Sequence, residues 1–199
     1  FNGDEFEDLL VGAKGGNAAY VDFGTDEGFP ADLDLSSLDG TNGFVIQGAS
    51  DGTGQAVANA GDISGDGLDD IVVGSPGASG GAGSVSVVLG SSSRTAASVD
   101  LATLAAADGF SIAGEEANDA LGTAVSPAGD VNNDGIDDLL ISGPERTIPQ
   151  AGSTTGQTDT VGVAYVVFGQ STSFGTSFDL GTLDGTNGFE ITTGNVGDS

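Results

Sequence analysis

One stretch constrains this chain more than any other. Residues 61–74 read Gly-Asp-Ile-Ser-Gly-Asp-Gly-Leu-Asp-Asp-Ile-Val-Val-Gly, an acidic loop that passes without interruption into an apolar strand. Counted from Asp62, the oxygen-bearing side chains Asp62, Ser64, Asp66 and Asp70 fall at positions 1, 3, 5 and 9, and Gly67 at position 6 serves a turn too sharp for a side chain. Calcium takes six to eight oxygens, and alternate side chains of a tight loop plus one backbone carbonyl, that of Leu68, can supply them. An EF-hand would need a bidentate Glu at position 12 between two helices, whereas position 12 here is Val73, inside the strand. Without a cation the same turn would crowd its carboxylates together and raise their pKa values. Magnesium suits the site less well, because it prefers to keep its waters.

The loop recurs. Asp130-Val-Asn-Asn-Asp-Gly-Ile-Asp-Asp138 repeats the spacing 68 residues later, and Asn2, Asp4 and Asp8 align with Ser64, Asp66 and Asp70. Each loop leads into a predicted strand (9–11, 71–73, 139–141), a Gly- or Pro-containing turn and a second strand ending in Gly24, Gly90 or Gly169, which predicts a hairpin. A Leu…Gly-Phe-x-Ile segment follows at 38–46, 104–112 and 183–191, and Asp-x-x-Gly-x-x-Val precedes the next loop at 51–57 and 119–125. Asp198 stands where Asp51 and Asp119 stand, so a further loop is expected to begin beyond residue 199, and the first loop is expected to start before Phe1. Four short strands in each of three units, 1–61, 62–129 and 130–199, is the count for a β-propeller blade. The predicted fold is all-β, with four-stranded antiparallel blades, about three of them from a larger propeller or array.

Charge narrows the partners. Thirty acidic residues stand against Lys14, Arg94 and Arg146, with no histidine, for a net charge of −27. Such a chain cannot build the basic stripe that nucleic acid requires, and an anionic membrane surface is disfavoured for the same reason. Its self-repulsion is offset by cations or salt, so a saline, calcium-containing medium fits best. The absence of cysteine leaves the redox compartment unread, and no signal peptide or membrane-spanning run stands out.

The loops, the following Gly-Ser-Pro (74–76) or Ser-Gly-Pro (142–144), and Tyr-Val-x-Phe-Gly together resemble the FG-GAP repeats of integrin α-chain propellers. The resemblance implies one blade per repeat, calcium in the loop between the first two strands, and ligand contacts on the opposite face. It implies up to three calcium sites: Asn2, Asp4, Asp8 and the carbonyl of Phe6; Asp62, Ser64, Asp66, Asp70 and the carbonyl of Leu68; Asp130, Asn132, Asp134, Asp138 and the carbonyl of Ile136. Two departures stand out. Ser64 replaces the usual Asn or Asp, which predicts a weaker middle site, and Glu5 replaces the position-6 glycine, which predicts an altered first turn.

Function is less constrained than fold. With neither His nor Cys, and with the clustered carboxylates assigned to metal, no catalytic group separates itself from the repeats, so no enzyme activity is expected. Phe23, Phe44, Phe110, Phe168 and Phe189 are expected to pack between sheets, and Asp51, Asp119 and Asp198 to cap turns. The polar stretch 144–160 breaks the repeat and is expected to be a surface loop, with Thr147, Ser153, Thr154 and Thr155 as acceptors for O-linked sugar. The leading expectation is a calcium-stabilised extracellular scaffold for adhesion or recognition, binding a protein or polysaccharide. The alternatives are a building block of an extracellular filament or layer, self-associating through open blade faces, and a non-catalytic arm of a secreted enzyme.

Overall fold

The computed structural model describes residues 1–48, 52–149 and 158–192. Asp51, Asp198, Ser153, Thr154 and Thr155 lie outside them. The chain is all-β. Its strands are β1 (Leu9–Ala13), β2 (Ala18–Asp22), β3 (Gly43–Gln47), β4 (Ala56–Gly61), β5 (Asp70–Ser75), β6 (Ser84–Val88), β7 (Ser98–Asp100), β8 (Gly109–Ala113), β9 (Val125–Gly129), β10 (Asp138–Pro149), β11 (Thr158–Val167), β12 (Ser177–Phe178) and β13 (Gly188–Thr192).

They form three blade-like sheets, ordered β1-β2-β3-β7, β12-β8-β6-β5-β4 and β13-β11-β10-β9. Within each, the strand after the acidic loop pairs antiparallel with its hairpin partner, and that partner pairs antiparallel with the Gly-Phe-x-Ile strand. The strand before a loop, β4 or β9, belongs to the same sheet as the strand after it. Sheet borders therefore run one strand ahead of the repeat borders at 62 and 130.

Two short strands were not legible as such in the sequence. β7 leaves the second sheet to pair in parallel with β3 of the first, and β12 leaves the third to pair in parallel with β8 of the second. The same turn follows each: Asp100 accepts a hydrogen bond from the Ala102 amide at 2.9 Å and Asp179 from the Gly181 amide at 2.9 Å, each capping a single 3-10 turn. Asp34 caps its turn in the same way, accepting from the Ser36 amide at 3.0 Å. The signature is an apolar residue followed by Asp-Leu-x-x-Leu, at 33–38, 99–104 and 178–183.

Because side chains alternate along a strand, each sheet has a face toward the preceding blade and a face toward the following one. Ala19, Val21, Phe44 and Ile46 of the first sheet meet Ile71, Val73 and Val88 of the second. Val72, Val85, Val87, Phe110 and Ile112 of the second meet Leu139, Ile141, Val163, Tyr165 and Val167 of the third. β5 is buried along its whole length. Glycine permits close backbone approach at both junctions: a Cβ on Gly12 would collide with the Gly54 carbonyl, and one on Gly74 with the Gly122 carbonyl. Gly54 and Gly122 come from the Asp-x-x-Gly-x-x-Val segments, so these glycines serve blade contact.

Two expectations are corrected. The stretch 144–160 is not wholly a loop, because Arg146 to Pro149 and Thr158 to Val161 continue the β10–β11 hairpin beyond a bulge. Residues 150–157 fall outside the described residues. Phe44 and Phe110 are buried between sheets, but Phe189, at the same place in the third sheet, is 36% exposed because no blade among the described residues covers it.

Phe110 stacks on Phe174 with centroids 4.1 Å apart, clamping the second sheet to the segment arriving from the third. Phe110→Ala is expected to destabilise the chain by about 3–5 kcal/mol, whereas Phe189→Ala, removing an open-face side chain, costs under about 1 kcal/mol in the monomer. Urea unfolding of the two variants measures the difference.

Candidate metal centre

The three loops share one backbone path. Position 4 has positive φ in each (Gly3 78°, Gly65 69°, Asn133 61°), and so has position 6 (Glu5 73°, Gly67 92°, Gly135 90°). Glu5 therefore follows the glycine path, and the altered first turn expected from it does not occur. The cost is steric, since a side chain in the left-handed region meets its own carbonyl.

Position 1 closes the loop onto itself. Asp62 accepts from the Asp66 amide at 2.9 Å and the Gly67 amide at 2.8 Å; Asp130 accepts from those of Asp134 and Gly135, both at 2.9 Å. Position 5 then accepts from position 7: Asp4 from Phe6, Asp66 from Leu68 and Asp134 from Ile136, each at 2.9 Å. At position 3, Asn2 and Asn132 donate to Asp4 and Asp134 at 2.9 Å, while Ser64 reaches Asp62 only at 3.4 Å.

Position 9 ties the loop to the sheet. Asp8, Asp70 and Asp138 accept from the amides of Gly24, Gly90 and Gly169 at 3.0, 2.8 and 2.9 Å. These are the glycines that end the second strand of each repeat, and a Cβ on any of them would collide with the position-8 carbonyl of Glu7, Asp69 or Asp137. The second oxygen of each position-9 carboxylate faces the start of the loop: Asp70 accepts from the Ser64 amide at 3.0 Å, Asp138 from the Val131 amide at 2.7 Å, and Asp8 pairs with the amino terminus at 3.2 Å.

Asp70 and Asp138 are fully buried. Burial, with Asp66 and Asp62 adding repulsion, pushes the Asp70 carboxyl up to about 7, against two amide hydrogen bonds that act the other way. Asp22, buried beside Asp8, is also raised, first by burial and then by Asp8. Among the described residues no three Asp or Glu groups converge on one point, because their oxygens are turned onto loop amides. A carboxylate oxygen has two lone pairs, so each retains acceptor capacity beyond that amide. The donor set is oxygen throughout, the kind a hard cation takes.

Adjacent loops also touch. Asp137 accepts from the Asp62 amide of the preceding loop at 3.1 Å. Leu68 and Ile136, at position 7, lie over Gly3 and Gly65 of the loop before.

The FG-GAP repeat model matches residues 53–88, which span β4, the middle acidic loop, β5 and β6. No curated protein matches the chain.

Glu5→Gly is expected to stabilise the protein by about 0.5–1 kcal/mol, the relief of left-handed strain exceeding the entropy that glycine adds to the unfolded chain. Gly135→Glu, the reverse change at the same turn, is expected to destabilise it by about 1–2 kcal/mol. Thermal melts of both variants check the pair.

Proposed function

We propose that this FG-GAP-repeat chain is a calcium-stabilised extracellular scaffold, in which up to three loop-bound ions hold the blades and the opposite loops are free for recognition of a protein or polysaccharide. The observation that carries the reading is the buried position-9 carboxylate, Asp70 or Asp138, placed beneath an all-oxygen loop of constant backbone path. Asp62, Ser64, Asp66, Asp70 and the Leu68 carbonyl would hold one ion. Asp130, Asn132, Asp134, Asp138 and the Ile136 carbonyl would hold another, and Asn2, Asp4, Asp8 and the Phe6 carbonyl a third. A cation there would offset the cost that burial puts on ionised Asp70, and would reduce repulsion in a chain of net charge −27.

The role is structural. Each ion would fasten the loop between two strands of one sheet, and binding to the native state alone raises stability with ligand concentration. No helix among the described residues is long and apolar enough to cross a membrane. The extracellular placement is drawn from the FG-GAP repeat and from the calcium levels such loops would need.

Removing divalent cations with EDTA is expected to lower the melting temperature by several degrees, and calcium to restore it. Asp138→Asn is expected to lower the number of calcium ions bound in titration calorimetry by one while the other loops keep theirs. A melting curve unmoved by EDTA, together with no calcium heat, would refute the reading.

A further inference from the structure

The middle and third acidic loops are joined by main-chain bonds as well as by packing. The Asp62 amide donates to the Asp137 carboxylate at 3.1 Å, the Ile63 carbonyl accepts from the Gln170 amide at 3.0 Å, and Gly65 lies under the Ile136 side chain. The Ile63 side chain is fully buried in the second junction, so Asp62 and Ser64, the ligand positions on either side of it, are held against the third blade.

The groups they meet are those that an ion in the third loop would fix. Ile136 would give that ion its carbonyl while its side chain covers Gly65. Asp138 would ligate the ion and accepts from the Gly169 amide at 2.9 Å, one residue before Gln170. Asp137 stands between Ile136 and Asp138 and belongs to neither ligand set. The first and middle loops share only part of this contact: the Phe1 carbonyl accepts from the Ser91 amide at 3.2 Å and Leu68 lies over Gly3, but Asp69 bonds Asn59 within its own sheet at 2.7 Å.

We propose that Asp137 is a positioning residue for the middle cation site, and that through it the middle and third loops take calcium with positive cooperativity. The inference rests on the calcium reading above. An ion in the third loop orders Ile136, Asp138 and the Gly169–Gln170 strand end, and with them the Asp137 carboxylate. The middle loop then meets a partner surface already ordered, so its own ion removes less conformational freedom on binding. Linkage makes the effect reciprocal, so an ion in the middle loop raises the affinity of the third by the same factor. Repulsion between the two ions opposes this, but each loop sets three carboxylates (Asp62, Asp66 and Asp70; Asp130, Asp134 and Asp138) against the two charges of its ion, so the ions do not face each other as bare charges.

The Gly67 and Gly135 amides donate to the position-1 carboxylates Asp62 and Asp130, so in amide NMR spectra of the 199-residue chain titrated with calcium each reports its own loop. Asp134→Asn, at an exposed ligand of the third loop, and Asp138→Asn, at the buried one, are each expected to raise the calcium midpoint at Gly67 about fivefold or more. Asp66→Asn is expected to raise the midpoint at Gly135 by the same factor. Asp137→Ala removes most of this dependence of one loop on the other, whereas Asp137→Asn, which keeps an acceptor oxygen for the Asp62 amide, retains it. A Gly67 midpoint unmoved by the third-loop changes, one moved equally with Ala at 137, or coupling lost as fully with Asn as with Ala would each overturn the proposal and leave the calcium reading standing. No calcium response at either glycine would refute both.

Discussion

The second sheet is buried against an apolar neighbour on both faces, and that is the condition from which the rest follows. A strand such as β5, buried on every residue, cannot be solvated on either side, so no blade holds its shape without a neighbour. The glycines at the junctions serve this condition. Gly74 opposite the Gly122 carbonyl and Gly12 opposite the Gly54 carbonyl let the sheets approach until Val, Ile and Phe side chains interdigitate. The parallel strands β7 and β12 add main-chain hydrogen bonds between successive blades, so the stack is joined by pairing as well as by packing.

Charge is kept away from these junctions. Twelve of the thirty acidic residues lie in the three acidic loops, while the two internal faces are built of Ala, Val, Ile, Leu and Phe, with Tyr165 at the second. Arg94 is an exception with a clear purpose: its guanidinium lies 5.3 Å from the Phe44 ring centroid and donates to the Leu89 carbonyl at 3.1 Å, covering one end of the first junction. Burial lowers its pKa, and Asp108 at 3.7 Å partly compensates. Arg146 does the corresponding work at the second junction, joining Glu115, two residues beyond the end of β8, to Glu190 of the third sheet. Both arginines of this chain thus sit between blades.

The periodic elements were legible because each is specified locally. Alternating Val and Ile runs, position-6 glycines and position-9 aspartates carry their structural reasons within a dozen residues, and the hairpins lie where those reasons put them. β7 and β12 were illegible because a strand of two or three residues has no period of its own; it exists only because the neighbouring sheet offers an edge. The sheet borders were displaced for a related reason, since the loop is the most recognisable part of the repeat but lies inside a sheet. Residue identity at position 6 does not decide the turn, because Asn2, Asp4 and Asp8, bonded as in the sister loops, hold the backbone of Glu5 on the glycine path. Asp119 closes the turn before it, accepting from the Glu116 amide at 2.9 Å, and its other oxygen is buried without a hydrogen bond, which the motif gave no reason to expect.

Repetition does not make the junctions identical, and position 8 shows how one substitution redirects a bond. Asp69 accepts from the Asn59 side chain at 2.7 Å, within its own sheet. In the third sheet the residue registered like Asn59 is Pro127, which carries no amide, and Asp137 turns instead to the Asp62 amide of the preceding blade. That reach is open only because residue 61 is glycine: a Cβ there would collide with the Asp137 carboxylate. Gly129, at the same place in the third sheet and with similar φ, has nothing within 4 Å. Glycine at 129 therefore answers to its left-handed φ alone, whereas glycine at 61 answers to both φ and the Asp137 contact, so the same residue at the same place in two sheets meets different demands.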